Sequence, residues 1–144
     1  VSGSVSSAGS VVGAGSLTIA FGTYSTSSST NDTFSANSSK TSFTVNTTST
    51  TTLAQLRDAI NNAVSDSDSD GDKDLTASIM YNGSDYVLVL KANQGVANAI
   101  SVTADNSSSD ALKNSFQYNA TNKTLTQSVA AADASFTIRP AGTN

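Results

Sequence analysis

The sequence predicts an α+β fold, mainly β, with antiparallel sheets and one amphipathic helix at about residues 52–65 packed on them. Three observations predict it. Apolar residues alternate along Leu17-Thr-Ile-Ala-Phe21 and along Leu75-Thr-Ala-Ser-Ile-Met-Tyr81, the period of a half-buried strand. Leu53, Leu56, Ile60, Ala63 and Val64 instead fall at helical spacing on one stripe. Roughly a third of the 144 residues are Ser or Thr, and β-branched Thr suits a pleated surface.

The elements follow in order. Residues 1–15 are rich in Gly, Ser and Val and read as a linker or an irregular edge segment, leaving 16–144 as a single domain. Leu17 to Phe21 form the first strand. Residues 23–40 show no period and read as a long polar loop with a short strand near Phe34. Phe43 and Val45 give another strand, about 41–46. Thr52 and Gln55 then fit a capping box, in which each side chain satisfies an orphan backbone donor at the helix start. Arg57, Asp58, Asn61 and Asn62 fall on the polar side of this helix.

After an acidic run, Leu75 to Tyr81 and Tyr86 to Leu90 form a hairpin about Asn82-Gly83, which tolerate positive φ. Val87 and Val89 on the second face predict a strand covered on both sides. Asn93-Gln94-Gly95 is a further turn, and Ile100 and Val102 open the next strand. Residues 107–114 read as a loop with room for a helical turn. Phe116, Tyr118, Leu125, Val129, Phe136 and Ile138 supply the last short strands, and the tail from Pro140 reads as a boundary.

Composition narrows the function. With no Cys there are no disulfides or thiolate sites, and with no His the usual general base is missing. Asp58 and Asp85 are carboxylates of the kind a hydrolase pairs, but nothing places two of them in one apolar pocket. The reading is therefore not an enzyme. A net charge of −4 disfavours nucleic acid. No apolar run is long enough to span a membrane and no signal peptide is visible. The start without Met reads as a fragment or a processed product.

The sharpest chemical motif is Asp66-Ser-Asp68-Ser-Asp70-Gly71-Asp72-Lys-Asp74. It follows the D-x-D-x-D-G order of a calcium loop, with Asp66, Asp68, Asp70 and Asp74 at ligand positions 1, 3, 5 and 9. Position 12 is Ala77, where a bidentate Glu belongs, and a strand follows where a second helix belongs. The competing reading is a solvated acidic loop. Tyr24, Tyr81, Tyr86 and Tyr118 offer a sugar-binding platform or, as the plainer reading, cross-strand packing. Asn-x-Ser/Thr triplets such as Asn31-Asp-Thr33, Asn46-Thr-Thr48 and Asn119-Ala-Thr121 arise readily in so hydroxyl-rich a chain.

Leu53-Ala-Gln-Leu-Arg-Asp-Ala-Ile-Asn61, Thr76-Ala-Ser-Ile79 and Gly83-Ser-Asp-Tyr-Val-Leu-Val-Leu90 resemble the hook IN motif of bacterial flagellar hook-associated proteins, Ile60-Asn61 being the IN pair. Gly15 to Gly22, Gln94 to Ile100 and Ala130 to Ile138 are similar to the same family. In order and spacing these segments, from about Gly15 to Ile138, most resemble the head region of the filament-capping family, hook-associated protein 2. The acidic loop and Arg139-Pro140-Ala141-Gly142 depart from the pattern, and the family's long terminal helices are absent.

The resemblance implies an excised head fragment of an extracellular structural protein. It implies no catalysis and no cofactor. The implied partners are flagellin and other cap subunits, in a homo-oligomeric ring at the filament tip that retains exported flagellin and promotes its assembly. A host glycan or mucin is a further implied partner. The alternatives are an outer domain of a flagellin or another hook-associated protein, and a glycan-binding adhesin module.

Overall fold

The computed structural model describes residues 4–26 and 32–127. Its order is β1 (Gly15–Thr26), β2 (Asp32–Ala36), β3 (Phe43–Thr47), α1 (Leu53–Ala63), β4 (Leu75–Tyr81), β5 (Tyr86–Ala92), β6 (Ala99–Ala104) and α2 (Asp110–Phe116). A short 3-10 turn, Val96–Asn98, precedes β6. The predicted class is borne out, with every strand pairing antiparallel.

β1 organises the first sheet. Leu17 to Ile19 pair with both β3 and β6, so those two strands lie on opposite edges of β1. Gly22 pairs with Ala36 of β2 and Ala99 of β6. β2 and β3 therefore share one edge, as a single lane interrupted at residues 37–42. That excursion carries Lys40. The second sheet is the β4–β5 hairpin. Val5 bridges Tyr86 on the far edge of β5, and Val87 and Leu88 on its two faces are both buried, as two-sided coverage predicts.

One core serves both sheets. Leu17, Ile19, Phe21, Val45 and Val102 meet Leu53, Leu56 and Ile60 of α1 and Leu75, Ala77 and Leu88 of the hairpin. Burying each large side chain stabilises the fold by about 1.5–3 kcal/mol. The α1 stripe is the one predicted, and Val64 is buried as its C-cap. The capping box is present: Thr52 Oγ1 accepts from Gln55 N at 3.3 Å, and Thr52 N donates to Gln55 Oε1 at 2.9 Å.

Three expectations change. The helical turn within 107–114 is longer than expected: after the loop residues 107–109, α2 is capped by Ser109, whose side chain accepts from Leu112 N, and buries Leu112 and Phe116 four residues apart. Phe116 thus ends a helix rather than building a strand. Tyr118 forms only isolated bridges, to Val102 and Lys123, and Leu125 is buried without belonging to a strand. Asn61 leaves the polar side of α1 and turns towards β4. Apart from these three changes, Val12 in the segment before β1 is buried and Val11 is bridged to Thr52. Val129, Phe136, Ile138 and the tail from Pro140 lie outside the described residues.

Candidate functional site: the acidic loop and the helix–hairpin joint

The joint between α1 and the hairpin rests on Asn61. Its Nδ2 donates to Ala77 O and its Oδ1 accepts from Ala77 N, both at 2.8 Å. Ala77 is 3% exposed, so these bonds satisfy buried backbone groups. Asn61 takes the place of a neighbouring strand at the outer edge of β4. One bidentate amide therefore fixes both the spacing and the register of helix and hairpin.

The acidic loop fills the chain between them. One carboxylate oxygen from each of Asp66, Asp68 and Asp70 lies within 4.8 Å of the other two. Gly71 N donates to Asp66 Oδ2 at 3.0 Å, and Asp72 N to Asp70 Oδ1 at 2.9 Å. Gly71, at φ +95°, makes the turn expected of the sixth position of such a loop. Asp66 Oδ1 is buried and has no hydrogen-bond partner among the described residues.

Asp74 stands apart from this trio. It is 1% exposed, and both its oxygens are engaged. Oδ1 receives Lys40 Nζ at 2.5 Å, while Oδ2 accepts from Ser67 N at 3.1 Å and Ser67 Oγ at 2.5 Å. Lys40 Nζ also meets Asp68 Oδ2 at 2.5 Å, and Thr41 N donates to Ser67 Oγ. An ammonium from the β2–β3 excursion thus sits where a cation for Asp68 and Asp74 would sit. Asp68 raises the Lys40 pKa most and Asp74 next, while Lys40 holds Asp68 below the usual carboxylate range.

Sequence reasoning found the four carboxylates but missed Lys40. The available signal was a lone cation in a long run of Ser, Thr and Asn.

The remaining candidates are packing groups. Tyr81 and Tyr86 pack across the hairpin with tilted rings, their centroids 5.1 Å apart. Tyr24 meets Phe34 at 4.9 Å and Tyr118 at 5.7 Å, and its hydroxyl donates to Ile100 O and Tyr118 O. The four tyrosines make two pairs rather than one platform. Asp58 pairs with its neighbour Arg57, and Asp85 closes the hairpin turn with Asn82.

A long central strand, a capped helix and a hairpin riveted by one asparagine define an α+β domain built on antiparallel sheets. The particular likeness is to the flagellar cap protein FliD of Escherichia coli. Its D2-D3 domains match with a TM-score of 0.65 at 25% identity, over 90% of this chain and 57% of that one. A structure of its D1-D2-D3 domains matches in fold, with a TM-score of 0.63 at 23% identity, over 90% of this chain and 37% of that one. No protein-family model and no curated protein matches the sequence. The resemblance to a cap head region is therefore borne out, and this chain spans little more than half the length of the D2-D3 structure.

Proposed function

We propose that this chain is part of the head of a bacterial flagellar filament cap. It works outside the cell, within a homo-oligomeric ring of the full-length protein, retaining exported flagellin and promoting its assembly at the tip. Its role is mechanical, with no catalytic site. The observation that carries this reading is the match to the cap protein's D2-D3 domains across 90% of the chain. The physical design agrees with it. Two polar side chains are committed to structural bonds, the half-buried Asn61 to Ala77 and the buried Asp74 to Lys40. A surface rich in hydroxyls stays soluble with few charges.

Electron microscopy with an antibody against this domain tests the proposal. Labelling at filament tips is expected, and labelling along filaments or over the cell wall would overturn it. Deleting the domain from the full-length gene is expected to release flagellin into the medium. A glycan array decides the adhesin alternative, for which Tyr81, 56% exposed beside Tyr86, is the aromatic group to which a sugar ring has access.

A further inference from the structure

We propose that Asn82 is a site of spontaneous covalent modification, converting to aspartate and isoaspartate through a cyclic imide. Asn82-Gly83 is the only Asn-Gly pair in the sequence, and it stands at the tip of the β4–β5 hairpin. Asn82, Gly83 and Ser84 are all exposed. Gly83 has φ +102°, and no atom lies within 4 Å of the place where a Cβ would stand. Its N–H makes no hydrogen bond among the described residues, so the nitrogen is free to react.

The electrophile is prepared as well. Asn82 Oδ1 accepts from Ser84 N at 3.1 Å and from Asp85 N at 2.9 Å. These two donors polarise the side-chain carbonyl and stabilise the negative charge that develops on Oδ1 when Cγ is attacked. Nδ2, the departing group, makes no hydrogen bond among the described residues, and Asn82 is exposed.

Chemically, Gly83 N loses its proton to hydroxide and bonds to Asn82 Cγ. The Cγ–Nδ2 bond breaks, and ammonia leaves after taking a proton from water. Water then adds to one of the two imide carbonyls. Opening at Cγ gives aspartate, and opening at the main-chain carbonyl gives isoaspartate. The balance is asparagine plus water giving aspartate plus ammonia, with no oxidant or cofactor.

The other asparagines are less prepared. Asn37, Asn106 and Asn114 precede serines, whose Cβ crowds the attacking nitrogen. Asn37 Nδ2 is also held by Ala97 O. The aspartate product fits the turn, because its carboxylate still accepts from Ser84 and Asp85. It adds one negative charge beside Tyr81 in a chain of net charge −4. The isoaspartate product lengthens the main chain and disturbs the Tyr81–Tyr86 pairing.

The test is incubation of the folded protein in mildly alkaline buffer. Isoelectric focusing is expected to show a new acidic band, and the mass to rise by about 1 Da. Peptide mapping is expected to place the first conversion at residue 82. The rate is expected to rise with pH, and Asn82→Ser, confirmed as folded by circular dichroism, is expected to lose the band. An unchanged mass after weeks, or an earlier conversion at another asparagine, overturns the proposal.

Discussion

Asn61 and Ala77, sixteen residues apart, share a pair of hydrogen bonds at 2.8 Å in which a side-chain amide imitates a neighbouring strand. Ala77 N–H and C=O point away from β5, so without Asn61 both are orphaned in the core. Each orphaned group costs about 1–3 kcal/mol, so Asn61→Ala, which orphans two, is expected to lose roughly 2–6 kcal/mol. Asn61→Asp is expected to lose a similar amount, since it sets a carboxylate oxygen against Ala77 O. Urea unfolding checks both, and a midpoint shift with an unchanged slope marks a stability effect. Wild-type stability in either variant would remove Asn61 from the joint.

The second prediction concerns Lys40. Its side chain is 7% exposed and its partner Asp74 1%, so truncating Lys40 leaves the Asp74 charge buried without a counter-ion. Breaking such a pair costs about 3–5 kcal/mol, so Lys40→Met is expected to destabilise on that scale. Combining it with Asp74→Leu is expected to recover most of the loss, because the uncompensated charge is then gone. A double-mutant cycle in urea measures this, and purely additive losses would contradict it.

The sequence shows the helix, its capping box and the hairpin because each depends on neighbours within a few residues. Leu53, Leu56 and Ile60 announce their face by spacing alone. The α2 helix escaped because it is short and set in serines, so Leu112 and Phe116 are too few to announce a helical face by spacing. The clasp of Lys40 on Asp68 and Asp74 escaped because it joins loops 28 and 34 residues apart, and no periodic pattern encodes such a contact. Asn61 was legible as part of a motif but not as a bond, since its helical position puts it beside the polar residues.

The third prediction is alkaline sensitivity. Bonding to Asp68 and Asp74 raises the Lys40 pKa above 10.5, and burial raises that of Tyr24 above 10.0. For a group whose folded pKa is raised, the stabilisation is complete below the unfolded pKa and disappears as pH climbs through the folded one. Stability is therefore expected to hold through neutral pH and to fall above about pH 10. Tyr24→Phe is expected to flatten part of that fall. Thermal midpoints across the alkaline range check it, and a flat profile would contradict it.

Gly22 gives the fourth prediction. It lies in β1 between Ala36 of β2 and Ala99 of β6. A Cβ there would lie 2.1 Å from Ser35 O and 2.8 Å from the Phe34 ring. Backbone is the obstacle, so the lane must move rather than a side chain. Gly22→Ala is expected to lose about 1–3 kcal/mol, as overpacking does, against the usual gain from removing a strand glycine. An unchanged thermal midpoint would show that β2 separates freely from β1.

The last prediction concerns calcium, which we propose binds weakly at Asp66, Asp68 and Asp70 without Asp74. The partnerless Asp66 Oδ1 and the 4.8 Å clustering favour the trio, whereas Asp74 is committed to Lys40 and Ser67. Calcium must compete with the Lys40 ammonium for Asp68 and finds no bidentate carboxylate at Ala77. Affinity is therefore expected near about 10⁻⁴–10⁻³ M, the range of extracellular modules. Calorimetry with calcium chloride is expected to give a small saturable heat that Asp70→Asn removes. No heat at millimolar calcium would leave Lys40 as the loop's cation.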